Sequence, residues 1–280
     1  MAKATVSPDE MSFLDHLEAL RWHLIRATLA IVVGGIIAFL FKGFIFDDLL
    51  FGPRHADFWT YDILCRISTA AGIDGGFCFD KMPFRIQSRT MGGQFSAHVW
   101  VSITAGFIIA FPYILYEFWK FVAPAMKDDE KKHSRGFIII SSILFILGVL
   151  FGYYVVTPLS INFLGKYQVS QDVLNEFDLD SYISLVRASV IACGLIFELP
   201  ILIYFLTRVG VVTPEFLRKY RKYALVIVLI LSAIITPPDI VSQIIVAIPV
   251  LILYEVSILI ASAVQKREKR ALRKKELIKK

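Results

Sequence analysis

Charge is scarce in this chain. Asp, Glu, Lys and Arg make up 19% of its 280 residues against a hydrophobic fraction of 56%, short of the roughly 25% charge that an ordinary soluble domain carries. Catalytic signatures are also missing. There is no G-x-x-x-x-G-K-[ST] stretch, which excludes nucleotide hydrolysis by a P-loop. H-E-x-x-H and G-x-S-x-G are absent, so neither a zinc-peptidase helix nor a nucleophile elbow is encoded. The five histidines, His16, His23, His55, His98 and His133, are scattered, and His98 has no partner at i+4 that would make a metal or haem pair. The three cysteines, Cys65, Cys78 and Cys193, lack metal-ligand spacing. No metal, cofactor or catalytic residue is expected. No internal repeat marks an inverted-repeat transporter. The basic tail comes without a recognition module, which argues against nucleic acid.

What the chain has is apolar runs long enough to cross a bilayer, whose core needs about 20 helical residues. Six spans are predicted, at about Leu24–Phe46, Ala97–Phe118, Gly136–Asn162, Tyr182–Leu206, Ala224–Thr236 and Ile240–Val264. The expected fold is an all-α integral membrane protein. A single membrane domain fills residues 1–265 and a basic tail residues 266–280. The first apolar run is too long for a cleavable signal peptide. Lys and Arg crowd the segment before the first span, the loop with Lys127, Lys131, Lys132 and Arg135, the loop from Arg208 to Lys222, and the tail. The loop with Asp172, Glu176, Asp178 and Asp180 has only Lys166. The positive-inside rule then puts both termini in the cytoplasm. Ser7-Pro8-Asp9-Glu10 reads as a helix start, and Phe13, Leu17, Leu20 and Leu24 share a face. An amphipathic helix resting on the cytoplasmic surface before the first span is predicted. The tail is expected to meet anionic lipid.

Four features stand out. From Phe111 to Lys132 an apolar segment exits through aromatics and Ala-Pro-Ala into a loop of both charge signs. Glu117 lies on the apolar side of that exit and Glu130 in the loop. Glu198 sits deep in the fourth span two residues before Pro200, where a carboxylate needs a partner, a proton or water. Arg187, about 16 Å along the helix axis, is too far to supply the partner. The fifth span is short, and Thr236-Pro237-Pro238-Asp239 forces a tight reversal into the sixth, which carries Gln243 near its start. Gly148 and Gly152 make a G-x-x-x-G pair suited to close helix packing. Cys65 and Cys78 share the large outer loop, where a disulfide can persist but pairing is left open. That loop shows no clear period.

These residues resemble the TatC family, the multi-span subunit of the twin-arginine protein translocase. The resemblance rests on HLEALRWHL at His16–Leu24, FPYILYEFWKFVAPAM at Phe111–Met126 with Glu130 after it, FELP at Phe197–Pro200, TPE–LRKYRKY from Thr213 to Tyr223, and TPPDIVSQ at Thr236–Gln243. It covers nearly the whole chain. It implies a receptor in the bacterial cytoplasmic membrane for signal peptides bearing consecutive arginines. With single-span TatA- and TatB-type partners, and in a complex holding several copies of itself, such a receptor exports folded precursor proteins on the proton motive force. The implied signal-peptide residues are Glu130, Phe121, Pro124, Glu18 and Arg21. Glu198 is implied to draw water into the membrane. Thr236, Gln243 and Ala233 would dock a partner helix, and Pro237, Pro238 and Asp239 form the outer hairpin tip, with Asp239 acting in assembly or a later transport step. One departure matters. Where the family commonly has Glu-Glu before Leu-Arg, this chain reads Glu18-Ala19. Glu18 is about 100° away around the helix. Either Glu130 acts with Asp128 or Asp129, or Glu18 reaches over a reoriented helix. Competing classes are a proton-coupled solute transporter built on Glu198 and an intramembrane enzyme; the first lacks a second buried ionisable group and the second a nucleophile or metal constellation.

Overall fold

A computed structural model of the chain describes residues 13–55, 57–70, 72, 78, 84–122, 134–170, 172–173, 175–237 and 239–278. Five helical segments are long and apolar enough to cross a membrane: Leu17–Leu40, Gly93–Val122, Gly136–Lys166, Leu179–Arg208 and Ile240–Arg267. The chain groups into two compact units. One holds Met1–Asp48 and Ser88–Ile143, the other Leu49–Gln87 and Leu144–Lys280.

The first unit is built on α1 (Phe13–Leu40) and α3 (Gly93–Val122). α1 is one unbroken helix. No separate surface helix precedes the span among the described residues, because no Gly or Pro lies between Phe13 and Val33 to break it. Leu17, Leu20 and Leu24 are exposed along its side. The two helices approach through glycine: a Cβ on Gly34 would lie 3.0 Å from the Gly106 carbonyl oxygen. Small residues permit such backbone contact in a membrane, where dispersion rather than hydrophobic burial holds helices together. At the last turn of α3, the buried Trp119 lies 4.8 Å, ring to ring, from Phe137 at the start of α4 (Ser134–Phe151).

In the second unit α4 continues through a π-helical turn, Gly152–Val156, into α5 (Thr157–Lys166). The Gly148/Gly152 pair packs on α6 (Leu179–Phe197): Cβ atoms there would sit 2.5 Å from the Cys193 carbonyl oxygen and 2.7 Å from that of Ser189. α6 stops at Glu198 and α7 (Leu199–Arg208) starts at once, with Pro200 in its first turn, where the missing N–H is tolerated. A short α8 (Pro214–Lys219) leads to α9 (Arg221–Ile235). At 15 residues, α9 is about 22 Å long, short of the roughly 30 Å hydrocarbon core. α10 (Ile240–Ile278) runs on as helix through the basic segment up to residue 278. Lys, Arg, Glu and Leu there are good helix formers and no Gly or Pro intervenes.

The large loop, aperiodic in sequence, contains α2 (Trp59–Ala70) and β1 (Arg85–Gln87), which pairs in parallel with β2 (Glu176–Asp178). Cys65 and Cys78 are disulfide-bonded. Tyrosine hydroxyls pin this loop to the helix ends. Tyr61 donates to the Pro53 and Pro158 carbonyls, Tyr153 to Leu49 and Tyr182 to Leu50. Burial pushes the Tyr61 hydroxyl well above the usual phenol range, so it stays a donor.

Candidate functional site

The chemistry-bearing residues of the first unit gather where α1 begins and α3 ends. Ala19, His23 and Arg26 follow the i, i+4, i+7 spacing that puts them on one face of α1. On α3, Glu117 meets that face. It is only 2% exposed, and its Oε2 lies 2.6 Å from His23 Nδ1 and 3.8 Å from Arg26 Nη1. A carboxylate this buried needs charge-assisted hydrogen bonds. Phe121, one turn later, sits edge-on to His23 with ring centroids 6.2 Å apart. The Lys120 ammonium lies 4.3 Å from the Tyr116 ring centre, within cation–π range.

Of the residues expected to bind signal peptide, Phe121 is thus brought to this cluster. Glu18 and Arg21 are exposed on α1, and Arg21 leans toward its neighbour Trp22. Glu130 and Pro124 lie outside the described residues, as do Asp128 and Asp129. Sequence reading placed Glu117 but missed its partners. His23 looked isolated because the contact spans 94 positions, and no local spacing rule reaches that far.

Glu198 occupies the joint between α6 and α7, partly buried. Its flanking residues Ile196 and Leu199 pack on Val228, Ala247 and Val250 from α9 and α10. At the α9–α10 hairpin, Thr236 is buried and its hydroxyl donates to the Ser232 carbonyl. The Gln243 amide donates across the hairpin to Leu229 at 3.0 Å. Both side chains thus spend a donor within the hairpin. Ala233 is exposed beside Ile230 and Ile234, which are 55% and 75% exposed. Pro237 is buried, and Pro238 lies outside the described residues. Asp239 has a role the sequence did not reveal: one carboxylate oxygen accepts from Ser242 N at 2.8 Å and Ser242 Oγ at 2.7 Å, capping α10. Asp239→Ala is expected to cost about 1 kcal/mol and Asp239→Asn much less, read as thermal unfolding of the purified chain.

At the other end of α9, α8 and the first residue of α9 are clamped to α10. Tyr254 donates to the Leu217 carbonyl, Arg221 pairs with Glu255 at 2.7 Å, and Gln265 donates to Glu215. The Glu215 carboxyl is held below its ordinary range, chiefly by a backbone N–H at the α8 N-terminus and then by Gln265 and Thr213. No group of three or more His, Cys, Asp or Glu among the described residues is arranged to hold a metal.

Comparison with known proteins identifies the family. The family model for the Sec-independent protein translocase protein (TatC) matches residues 15–249. The TatC of Blattabacterium sp. subsp. Periplaneta americana is 45% identical over 261 residues, covering 93% of this chain and 98% of the relative. The TatC of Aquifex aeolicus is 36% identical over 260 residues, covering 92% and 98%. A crystal structure of the twin-arginine translocase receptor TatC superposes with a TM-score of 0.64 at 34% identity, covering 89% of this chain and 99% of that one. A second, in DDM, gives 0.67 at 35% identity. The chain therefore belongs to the TatC family, multi-pass membrane components of the Sec-independent, twin-arginine protein translocase and not enzymes.

Proposed function

We propose that this chain is the signal-peptide receptor of its translocase, binding consecutive arginines at the cytoplasmic face. The supporting observation is the cluster at the end of the first unit. A buried carboxylate, two basic groups and the Phe121 ring are held at the mouth of the segment 123–133, which carries Glu130. A guanidinium pair is recognised best by carboxylates at fixed geometry, with an aromatic face beside them. In this reading Glu130 is the arginine acceptor, with Phe121 and Pro124 shaping the site and Glu18 and Arg21 at its edge. The chain crosses the cytoplasmic membrane six times, the short α9 included, with both termini inside. Single-span TatA- and TatB-type helices dock on the α9–α10 hairpin around Ala233, Thr236 and Gln243. Several copies of the chain assemble with them, and the proton motive force drives export of folded precursors.

A photoreactive residue at position 130 in inverted membrane vesicles tests this. The expected result is a crosslink to an Arg-Arg precursor and none to its Lys-Lys version. Silence at 130 and at neighbouring loop positions, in a folded protein, would move the site elsewhere. Glu198 acts in a later step by admitting water at the α6–α7 joint. Glu198→Ala is expected to leave that crosslink intact and slow export by about tenfold, about 1.4 kcal/mol in the barrier. Export at the normal rate would remove Glu198 from the transport step.

A further inference from the structure

The second unit contains a cavity of about 280 Å³ where α5 ends and α10 begins. Leu159, Phe163 and Val241 form its apolar wall, and Asn162, Lys166 and Asp239 contribute the polar groups. Its level follows from its parts. Lys166 is the last residue of one membrane-length segment, and Val241 the second residue of another. The cavity therefore lies at the ends of two membrane-length helices, the part of a spanning helix nearest the headgroups. Asn162 is 7% exposed, and its side-chain oxygen is buried without a hydrogen-bond partner. A buried amide oxygen without a donor is costly, and structures rarely leave one so. The site is complete only when something supplies an N–H or O–H.

We infer that this cavity is a binding site for a phospholipid whose headgroup carries both a phosphate and a primary ammonium, such as phosphatidylethanolamine. The lining selects among headgroups by charge and donors. It has one cation, Lys166, for the phosphate. It has one carboxylate, Asp239, one oxygen of which accepts from Ser242 while the other is left for the headgroup. A purely anionic headgroup meets that carboxylate unfavourably. A quaternary ammonium has no N–H for the Asn162 oxygen. A primary ammonium donates three hydrogens, enough for Asn162 and Asp239 together. The apolar wall takes the glycerol end of the chains, and Tyr167, also on the lining, is a residue type enriched at this membrane level. The site shares no residue with the cluster on α1 and α3 and does not depend on the peptide-binding reading.

Native mass spectrometry of the full chain in detergent decides it. The protein is titrated with dioleoyl phosphatidylethanolamine, phosphatidylcholine and phosphatidylglycerol. Phosphatidylethanolamine is expected to bind about fivefold tighter than either of the others, a free-energy difference of the size one net hydrogen bond provides. Asn162→Leu is expected to abolish that preference, and Lys166→Gln to weaken phosphatidylethanolamine binding with unchanged thermal unfolding of the lipid-free protein. Lys166 is exposed, so that variant folds even if Asn162→Leu does not. Soluble phosphoethanolamine, which lacks chains, should displace little lipid. Equal affinity for the three lipids, a preference for phosphatidylglycerol, or selectivity retained in the variants would overturn the assignment. Complete displacement by soluble phosphoethanolamine would overturn the lipid and leave a small zwitterion as the ligand.

Discussion

Gly106→Leu is expected to yield no folded protein, and Gly106→Ala to lose about 1–3 kcal/mol, the cost of forcing a methyl group into a packed interface. The reason is what that methyl would meet. A Cβ on Gly106 would collide with the Gly35 backbone nitrogen, and would lie 2.5 Å from the Ile31 carbonyl oxygen and 2.8 Å from Gly35 Cα. All three are α1 backbone atoms, which cannot turn aside as a side chain can. The helices would have to part along their line of contact. Lipid tails are as apolar as leucine, so α1 has no hydrophobic gain to offset lost dispersion once it separates from α3. The control is Gly136→Ala at the start of α4, where a Cβ meets nothing within 4 Å. Its effect should be close to zero. Unfolding in mixed detergent, followed by tryptophan fluorescence, separates the two. Equal stability of Gly106→Ala and Gly136→Ala would mean that the α1–α3 contact contributes little.

That contact also shows how far sequence could carry the structure. Apolar runs of about 20 residues announce themselves, because a membrane admits little but helices. The break at Glu198 has a local cause, since Pro200 removes a backbone donor at a known offset. Gly148 and Gly152 were legible as a packing pair by their spacing, whereas Gly34 and Gly106 were not, because the approach they permit joins positions far apart in the chain. The continuity of α1 over Phe13–Leu40 was not legible for a related reason. Leu17, Leu20 and Leu24 have amphipathic spacing, but nothing in the sequence says whether an apolar stripe lies along the membrane or enters it. In the large loop, order comes from tyrosine hydroxyls reaching distant carbonyls and from a β1–β2 pairing of Arg85 with Glu176. Such contacts leave no local period to read.

The candidate site divides the same way. The FPYILYEFWKFVAPAM stretch drew attention to the end of α3, but the residues that hold Glu117 there had to be seen. Glu117→Ala is expected to reduce Arg-Arg precursor binding strongly while leaving Phe121 and Glu130 chemically intact. Breaking a buried ion pair by removing one partner costs up to about 3–5 kcal/mol. The cost here belongs at or below the low end, since the Arg26 side chain is 52% exposed and the His23 side chain 19% exposed, so both can turn to water. The functional loss follows from position. Glu117 anchors the last turn of α3 to α1, and that turn carries Phe121 and feeds the segment with Glu130. Glu117 is a positioning residue in this account, and its partner matters as much as its charge. Glu117→Gln keeps a hydrogen-bonding group against His23 and should retain most binding. His23→Ala should mimic Glu117→Ala, and the double variant should be little worse than either. A double-mutant cycle on precursor affinity reads this as a coupling of about 0.5–3 kcal/mol. Additive losses would mean that Glu117 and His23 act separately, and the α1–α3 clasp would then play no part in presenting the loop to an arginine pair.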